Sequence, residues 1–320
     1  MKLRFWGTRG SIATPGPGTN HFGGNTSCIE LTTPAGGTIV LDCGTGARLL
    51  GNQLLANHEQ PVDASILLTH THWDHIQGFP FFAPLFVPGN RFRVYGPDEA
   101  HISLRDVLAG QMEHHYFPVE LEQLSARITY QDLTEGRHEI DGLIIQAQWM
   151  NHPSPTLGYR IEADGVSAAY LSDHEPHFAG IWREGAEPGR IESIRDEGDR
   201  RHAEFMRGAD LVIHEAQYTP EEYPAKVHWG HSTYAYAVEL AAAAQVRQLV
   251  LTHHDPSHDD AFIASIEKRA QELARELGSP LKVLCAHEGC EISVATPPGT
   301  CNSGSASPVA EYSYSSKSNP

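Results

Sequence analysis

The segment Leu67-Leu68-Thr69-His70-Thr71-His72-Trp73-Asp74-His75 places four potential metal ligands within six positions, directly after an apolar run. Residues 64–69 read as a buried strand that feeds a loop. At the end of a strand, alternate residues point the same way, so His70 and His72 face one point. Asp74 and His75, in the turn that follows, can face a second point a few ångströms away. One segment can therefore serve two metals.

Strands and helices alternate around that loop. Short strands are expected at 2–6, 27–32 and 38–42, the last two joined as a hairpin by Pro34-Ala35-Gly36-Gly37. Further strands are expected at 92–95, 143–148, 211–214, 248–251 and 282–285, with 158–162 and 167–171 paired across Asp164-Gly165. A helix is expected over 45–56. The clearest helix spans 260–277, with Ile263, Ile266, Ala270, Leu273 and Leu277 on one stripe, Asp259 or Asp260 as N-cap, and Gly278 and Pro280 beyond its end. Hairpins first and alternation later suit an αββα sandwich, two mixed sheets packed face to face with helices outside. One domain is expected over 1–295. Residues 98–125 and 174–207 read as insertions on it, and the Ser-rich stretch 296–320 as a disordered tail.

Charge narrows the partners. Lys and Arg number 23 against 40 Asp and Glu, a formal net charge of −17. Binding a polyanion by counterion release needs a basic face, so long nucleic acid is a poor partner. No apolar run approaches the eighteen or so residues of a membrane span, and nothing at the start marks the chain for secretion, so the cytoplasm is the default expectation. Five cysteines form no Cys-x-x-Cys pair and are expected to be buried, reduced thiols.

The His-x-His-x-Asp-His run resembles the signature of the metallo-β-lactamase-fold hydrolases, and the similarity extends over most of the chain. Members add a third histidine, an aspartate and a last histidine, each just after a later strand. Here Asn151-His152-Pro153, Leu171-Ser172-Asp173-His174 and Leu251-Thr252-His253-His254-Asp255 match. The resemblance implies His70, His72 and His152 on a first metal, Asp74, His75 and His253 on a second, and Asp173 bridging. His174 and His254 adjoin ligands, and the family's placement of the ligand directly after Leu-Thr favours His253. His114, His115, His228 and His258 receive no metal role. Two zinc ions are the implied cofactor, with manganese or iron as alternatives. Two divalent ions supply +4, and Asp74, Asp173 and one hydroxide subtract 3, leaving about +1. A phosphodiester monoanion complements that centre, attacked by a metal-bridging hydroxide.

Local motifs select the branch. Ala209-Asp210-Leu211-Val212-Ile213-His214-Glu215-Ala216 resembles the His-Glu-Ala-Thr segment of the phosphodiesterase branch that includes the transfer-RNA 3′-processing endonuclease RNase Z, with Gln217 in place of Thr. Gly230-His231-Ser232-Thr233 resembles its His-Ser-Thr segment, and Phe5-Trp6-Gly7-Thr8-Arg9-Gly10-Ser11 its first strand and loop. The resemblance implies Asp74, His231 and Glu215 as catalytic residues, His231 donating a proton to the leaving group and Glu215 supporting it. Arg9, Ser11 and Arg160 are candidate phosphate contacts. RNase Z carries a long substrate-gripping arm between the third histidine and the bridging aspartate. Here only a short hairpin separates His152 from Asp173, and 12–24 contains no Lys or Arg. The expected function is a dinuclear phosphodiesterase acting on a small, cyclic phosphodiester. Alternatives are an ester, thioester or lactone hydrolase on the same metals, an RNase Z-like endoribonuclease, and a metal-bound sensing module. A homodimer is implied by the family.

Overall fold

The apolar runs pair into two sheets packed face to face. In the computed structural model residues 1–57, 61–178 and 180–294 are described, together with the backbone of 301 and 302. The first sheet is built from β1 (Lys2–Gly7), β2 (Cys28–Thr32), β3 (Thr38–Leu41), β4 (Asp63–Leu67), β5 (Arg91–Pro97) and β6 (Arg127–Leu133). The second holds β7 (Gly136–Ile140), β8 (Leu143–Trp149), β9 (Leu157–Ala163), β10 (Val166–Leu171), β11 (Leu211–Glu215), β12 (Gln248–Thr252) and β13 (Lys282–Cys285). The chain then returns to the first sheet as β14 (Glu291–Ser293) and β15 (Cys301–Asn302). The strand orders are 15-14-1-2-3-4-5-6 and 13-12-11-10-9-8-7. Beyond β15, the tail expected over 296–320 lies outside the described residues.

Three apolar layers account for the sandwich. Leu3, Phe5, Ile29, Leu41, Ile145, Tyr159, Ile213 and Val250 fill the space between the sheets. On the outer face of the first sheet, Val40, Ile66 and Val94 pack on α1 (Ala47–Asn57), the short α2 (Trp73–Ile76) and α3 (Leu104–Gln111). Outside the second sheet, Val212, Leu249 and Leu251 pack on α4 (Glu197–Met206), α5 (Tyr234–Ala243) and α6 (Asp260–Glu276). The αββα reading therefore holds. Two interior strands of the second sheet, β11 and β12, are buried along their whole length, as expected for strands covered on both faces.

Several local expectations are met by specific contacts. Asp259 caps α6, its side chain accepting from Phe262 N–H at 2.8 Å, and Thr233 caps α5, accepting from Tyr236 N–H at 3.1 Å. The turn between β9 and β10 puts Asp164 at φ 48° and Gly165 at φ 76°, the left-handed pair that matches a hairpin's twist. Strands β6 and β7 were not anticipated, because β6 (Arg127–Leu133) carries Arg, Gln and Asp among its apolar residues and lies at a half-exposed sheet edge. The 98–125 insertion contains α3, and 174–207 contains α4. One cysteine departs from expectation: Cys28, Cys43 and Cys285 are free and buried, whereas Cys290 is disulfide-bonded.

The topology fixes where chemistry can occur. Strands β3 to β6 run parallel, as do β10 to β13. The loops after β4, β8, β10 and β12 converge on one edge of the sandwich, and outside the carboxyl ends of parallel strands is where open α/β sheets place their sites.

Candidate metal centre

Seven side chains from four loops meet at that edge. His70, His72, His152 and Asp173 offer ligand atoms all within 4.8 Å of one another, and so do Asp74, His75 and His253. Asp173, a member of the first group, also reaches the histidines of the second. Its Oδ2 lies 3.5 Å from His70 Nε2 and 3.8 Å from His152 Nε2, and its Oδ1 lies 3.4 Å from His75 Nε2 and 3.2 Å from His253 Nε2. In the first group His152 Nε2 is 3.2 Å from His72 Nδ1. In the second, Asp74 Oδ2 is 3.2 Å from His75 Nε2 and 3.1 Å from His253 Nε2, and those two nitrogens are 3.2 Å apart.

These spacings fit metal ions. Donor atoms about 2.1 Å from a common ion at tetrahedral angles lie about 3.4 Å apart. The imidazole pairs cannot all be hydrogen-bonded to each other, because one nitrogen on each ring but that of His72 is already committed elsewhere. His75 Nδ1 meets Asp42 Oδ2 at 2.8 Å, His152 Nδ1 the carbonyl of Gly230 at 2.9 Å, His253 Nδ1 Gln217 Oε1 at 3.1 Å and His70 Nδ1 Thr69 Oγ1 at 3.2 Å. With those nitrogens donating, the inward ones carry lone pairs, and His70 Nε2 is buried with no hydrogen-bond partner.

The backbone is shaped to present these groups. His253 and Asp42 occupy the left-handed region, at φ 60° and 57°, a cost tolerated where the surroundings over-determine it. A Cβ on Gly230, itself at φ 85°, would come within 2.3 Å of the His152 ring, and one on Gly10 within 2.3 Å of the His253 ring. Asp42 is the residue that sequence reasoning missed. Fully buried at the end of β3, it accepts from Thr69 N–H at 2.7 Å, from Thr69 Oγ1 and from Tyr170 OH at 2.7 Å, as well as meeting His75. An aspartate closing the apolar run Ile39-Val40-Leu41 was its signal.

His231 and Glu215 stand beside the cluster. His231 lines an opening of about 500 Å³ with Ser11, Thr71, His72, Trp73, Asp74 and Asp173. Its Nδ1 is 3.9 Å from both Asp173 Oδ2 and Glu215 Oε2. Glu215 does not hydrogen-bond it: Oε1 accepts from the backbone N–H and, at 2.7 Å, the hydroxyl of Ser232, and Oε2 from Gln217 N–H at 3.0 Å. Burial pushes Glu215 up to about 8 and His231 down to about 3.

Other candidates take structural positions. Arg9 is buried, donating to the carbonyls of Gly23, Asp255 and His258, and Arg160 donates to those of Phe205 and Arg207, so neither is a phosphate contact. Ser11 does reach the site, its N–H donating to Asp74 Oδ2 at 2.7 Å. His254 bonds the carbonyl of Ala286, His258 meets Glu222, and His174 accepts from Asn151 N–H.

A two-sheet sandwich carrying this histidine and aspartate cluster at its loop edge defines a metal-dependent hydrolase. The Beta-lactamase superfamily domain matches residues 38–254. Ribonuclease Z of Methanopyrus kandleri is 30% identical over 317 residues, covering 92% of this chain and 98% of that one. Human tRNase Z, short form, superposes with a TM-score of 0.60 at 21% identity, covering 92% and 100%. A metallo-β-lactamase fold protein from Bacillus subtilis superposes with a TM-score of 0.61 at 18% identity, covering 91% and 98%. The chain belongs to the β-lactamase superfamily, in the branch of RNase Z and related phosphodiesterases.

Proposed function

We propose that this protein hydrolyses small phosphodiesters at a dinuclear centre held by His70, His72 and His152 on one side, Asp74, His75 and His253 on the other, and Asp173 between them. The division of Asp173's two oxygens between the two histidine groups carries this reading. A pair of divalent ions, zinc suiting these imidazole and carboxylate donors first, would supply an activated water and neutralise charge on the phosphoryl oxygens.

The chain's own residues do the rest. Asp42, Gln217 and the Gly230 carbonyl fix the tautomers and tilt of His75, His253 and His152. Ser11 N–H orients Asp74. His231, at the wall of the opening, is the proton donor to the leaving oxygen; burial holds the free imidazole neutral, so it takes up its proton as the anionic substrate binds, with Asp173 and Glu215 as the nearest carboxylates to its Nδ1.

A small substrate is favoured by the hairpin β9–β10 between His152 and Asp173, which leaves no arm there, and by the net charge of −17. An endoribonuclease is the second reading, favoured by the near full-length similarity to Ribonuclease Z of M. kandleri. Metal-loaded protein tested against methyl p-nitrophenyl phosphate, cyclic nucleotides, a lactone, a thioester and a precursor transfer RNA separates these readings. No turnover of any phosphodiester would refute the proposal.

A further inference from the structure

Beside the metal opening lies a cavity of about 420 Å³ lined by eleven residues, none of them charged. Thr71 and Trp73 line both, so the cavity adjoins the opening at the centre. Its walls expose aromatic surface that folding alone would bury: Trp73 is 76% exposed, Phe81 55% and Tyr116 77%. Isolated exposed side chains are ordinary, but aromatics clustered on one concavity beside a reaction centre mark a binding surface. Phe117 meets Phe81 edge to face at 5.3 Å.

The mounts are rigid. Trp73 opens α2, whose turn is closed by His75 N–H to the His72 carbonyl at 2.9 Å and Gln77 N–H to the Trp73 carbonyl at 2.7 Å, so its backbone is held by the ligand loop. Thr71 is fixed by a 2.9 Å bond to Glu99. The opposite wall comes from the 98–125 insertion, which contributes Val107, Gln111, Tyr116 and Phe117. Gln111 Nε2 is buried and has no hydrogen-bond partner, on a wall whose other polar side chains are Thr71 and Gln77.

We infer that this cavity is a nucleobase subsite, receiving the base of a nucleoside phosphodiester while its phosphate lies at the metal centre; the inference rests on the phosphodiesterase reading. Aromatic faces stack on any base, Gln111 Nε2 offers a donor to a ring nitrogen or carbonyl, and the absence of lining charge excludes a second phosphate from the groove. On the other side of the centre, the pocket containing His152 is also lined by aromatic rings, Phe178 and Tyr223, but carries the charged Glu175 beside them, where the first cavity has no charge.

The test holds the leaving group constant. Thymidine 5′-(p-nitrophenyl phosphate) and methyl p-nitrophenyl phosphate both release p-nitrophenolate and differ only in the base-bearing group. The nucleoside ester should have the higher kcat/KM by tenfold or more, and Tyr116→Ala, Phe81→Ala and Gln111→Leu should each lower that ratio severalfold, Tyr116→Ala most. Inhibition by thymidine 5′-monophosphate should weaken in parallel, while inhibition by methyl phosphate should not. Turnover of the methyl ester with a ratio near one, or variants that lower both esters equally, would overturn the subsite and leave the phosphodiesterase reading intact. Failure to turn over either ester would instead refute that reading. If the variants shift a dimer to monomer in sedimentation with the ratio unchanged, the cavity is a contact between copies and the inference fails.

Discussion

Asp42 Oδ2 stands 2.8 Å from His75 Nδ1, with neither side chain exposed to solvent. The pair joins the end of β3 to the metal loop after β4, and Asp42 gathers Thr69 and Tyr170 into the same knot. Asp42→Asn keeps the shape but sets an amide donor against groups that all donate. Metal affinity should fall about 10- to 100-fold, and the metal-free protein should lose about 1–3 kcal/mol. Calorimetric titration and denaturant unfolding measure the two; an unchanged affinity would show that His75 needs no such partner.

Metal stoichiometry tests the shared carboxylate. Wild-type protein should bind close to two ions per chain, and Asp173→Ala should weaken both. One tightly bound ion in fully active wild type would sink the bridging assignment.

The proton donor is tested by leaving group. With an alkoxide leaving group, His231→Ala should cost about 10²- to 10⁴-fold, and Glu215→Gln, at a carboxyl that makes no hydrogen bond to His231, should cost much less. A p-nitrophenolate needs little protonation, so the losses there should be much smaller while metal content stays intact. Equal losses on both substrates, or loss of metal, would make His231 a ligand or a structural residue, a role its proximity to Asp173 and His253 allows.

Size selection follows from charge. A precursor transfer RNA should be cut poorly, and the rate on a small phosphodiester should change little between low and physiological salt. Efficient transfer-RNA cleavage at physiological salt would decide for the endoribonuclease.

A second histidine group sets an acid limit on stability. His202 Nε2 meets His214 Nε2 at 2.9 Å, His214 Nδ1 meets the Glu215 carbonyl at 2.5 Å, and the His202 ring stacks on His174 at 3.7 Å. Burial pushes His214 down to about 4 and His202 well below its ordinary value. The folded state therefore holds both neutral, while the unfolded chain takes up protons near pH ~6.5. Stability is complete above that pH and is lost as pH falls from there toward 4. His202→Leu should flatten that part of the profile in metal-loaded protein, measured by denaturant unfolding from pH 7 to 5. An identical slope in wild type and variant would refute the assignment.

The amino-acid sequence by itself determined the layered class of fold and pointed to the seven residues that meet at the candidate metal centre. Period-two apolar runs and the stripe on α6 carry their information locally, and a His-x-His-x-Asp-His run after a strand is chemistry written in six consecutive positions. Gln217 was visible only as a departure from a pattern, and Asp42 as an unremarked strand end. Only the tertiary structure decided that these two orient His253 and His75, because the hydrogen bonds join residues 36 and 33 positions apart. It also removed Arg9 and Arg160 from the site by committing both to backbone carbonyls, and brought the 98–125 insertion to the wall of the aromatic cavity. Partners across loops are set by which strand ends the parallel sheets bring to one edge, a non-local outcome that no spacing along the chain encodes.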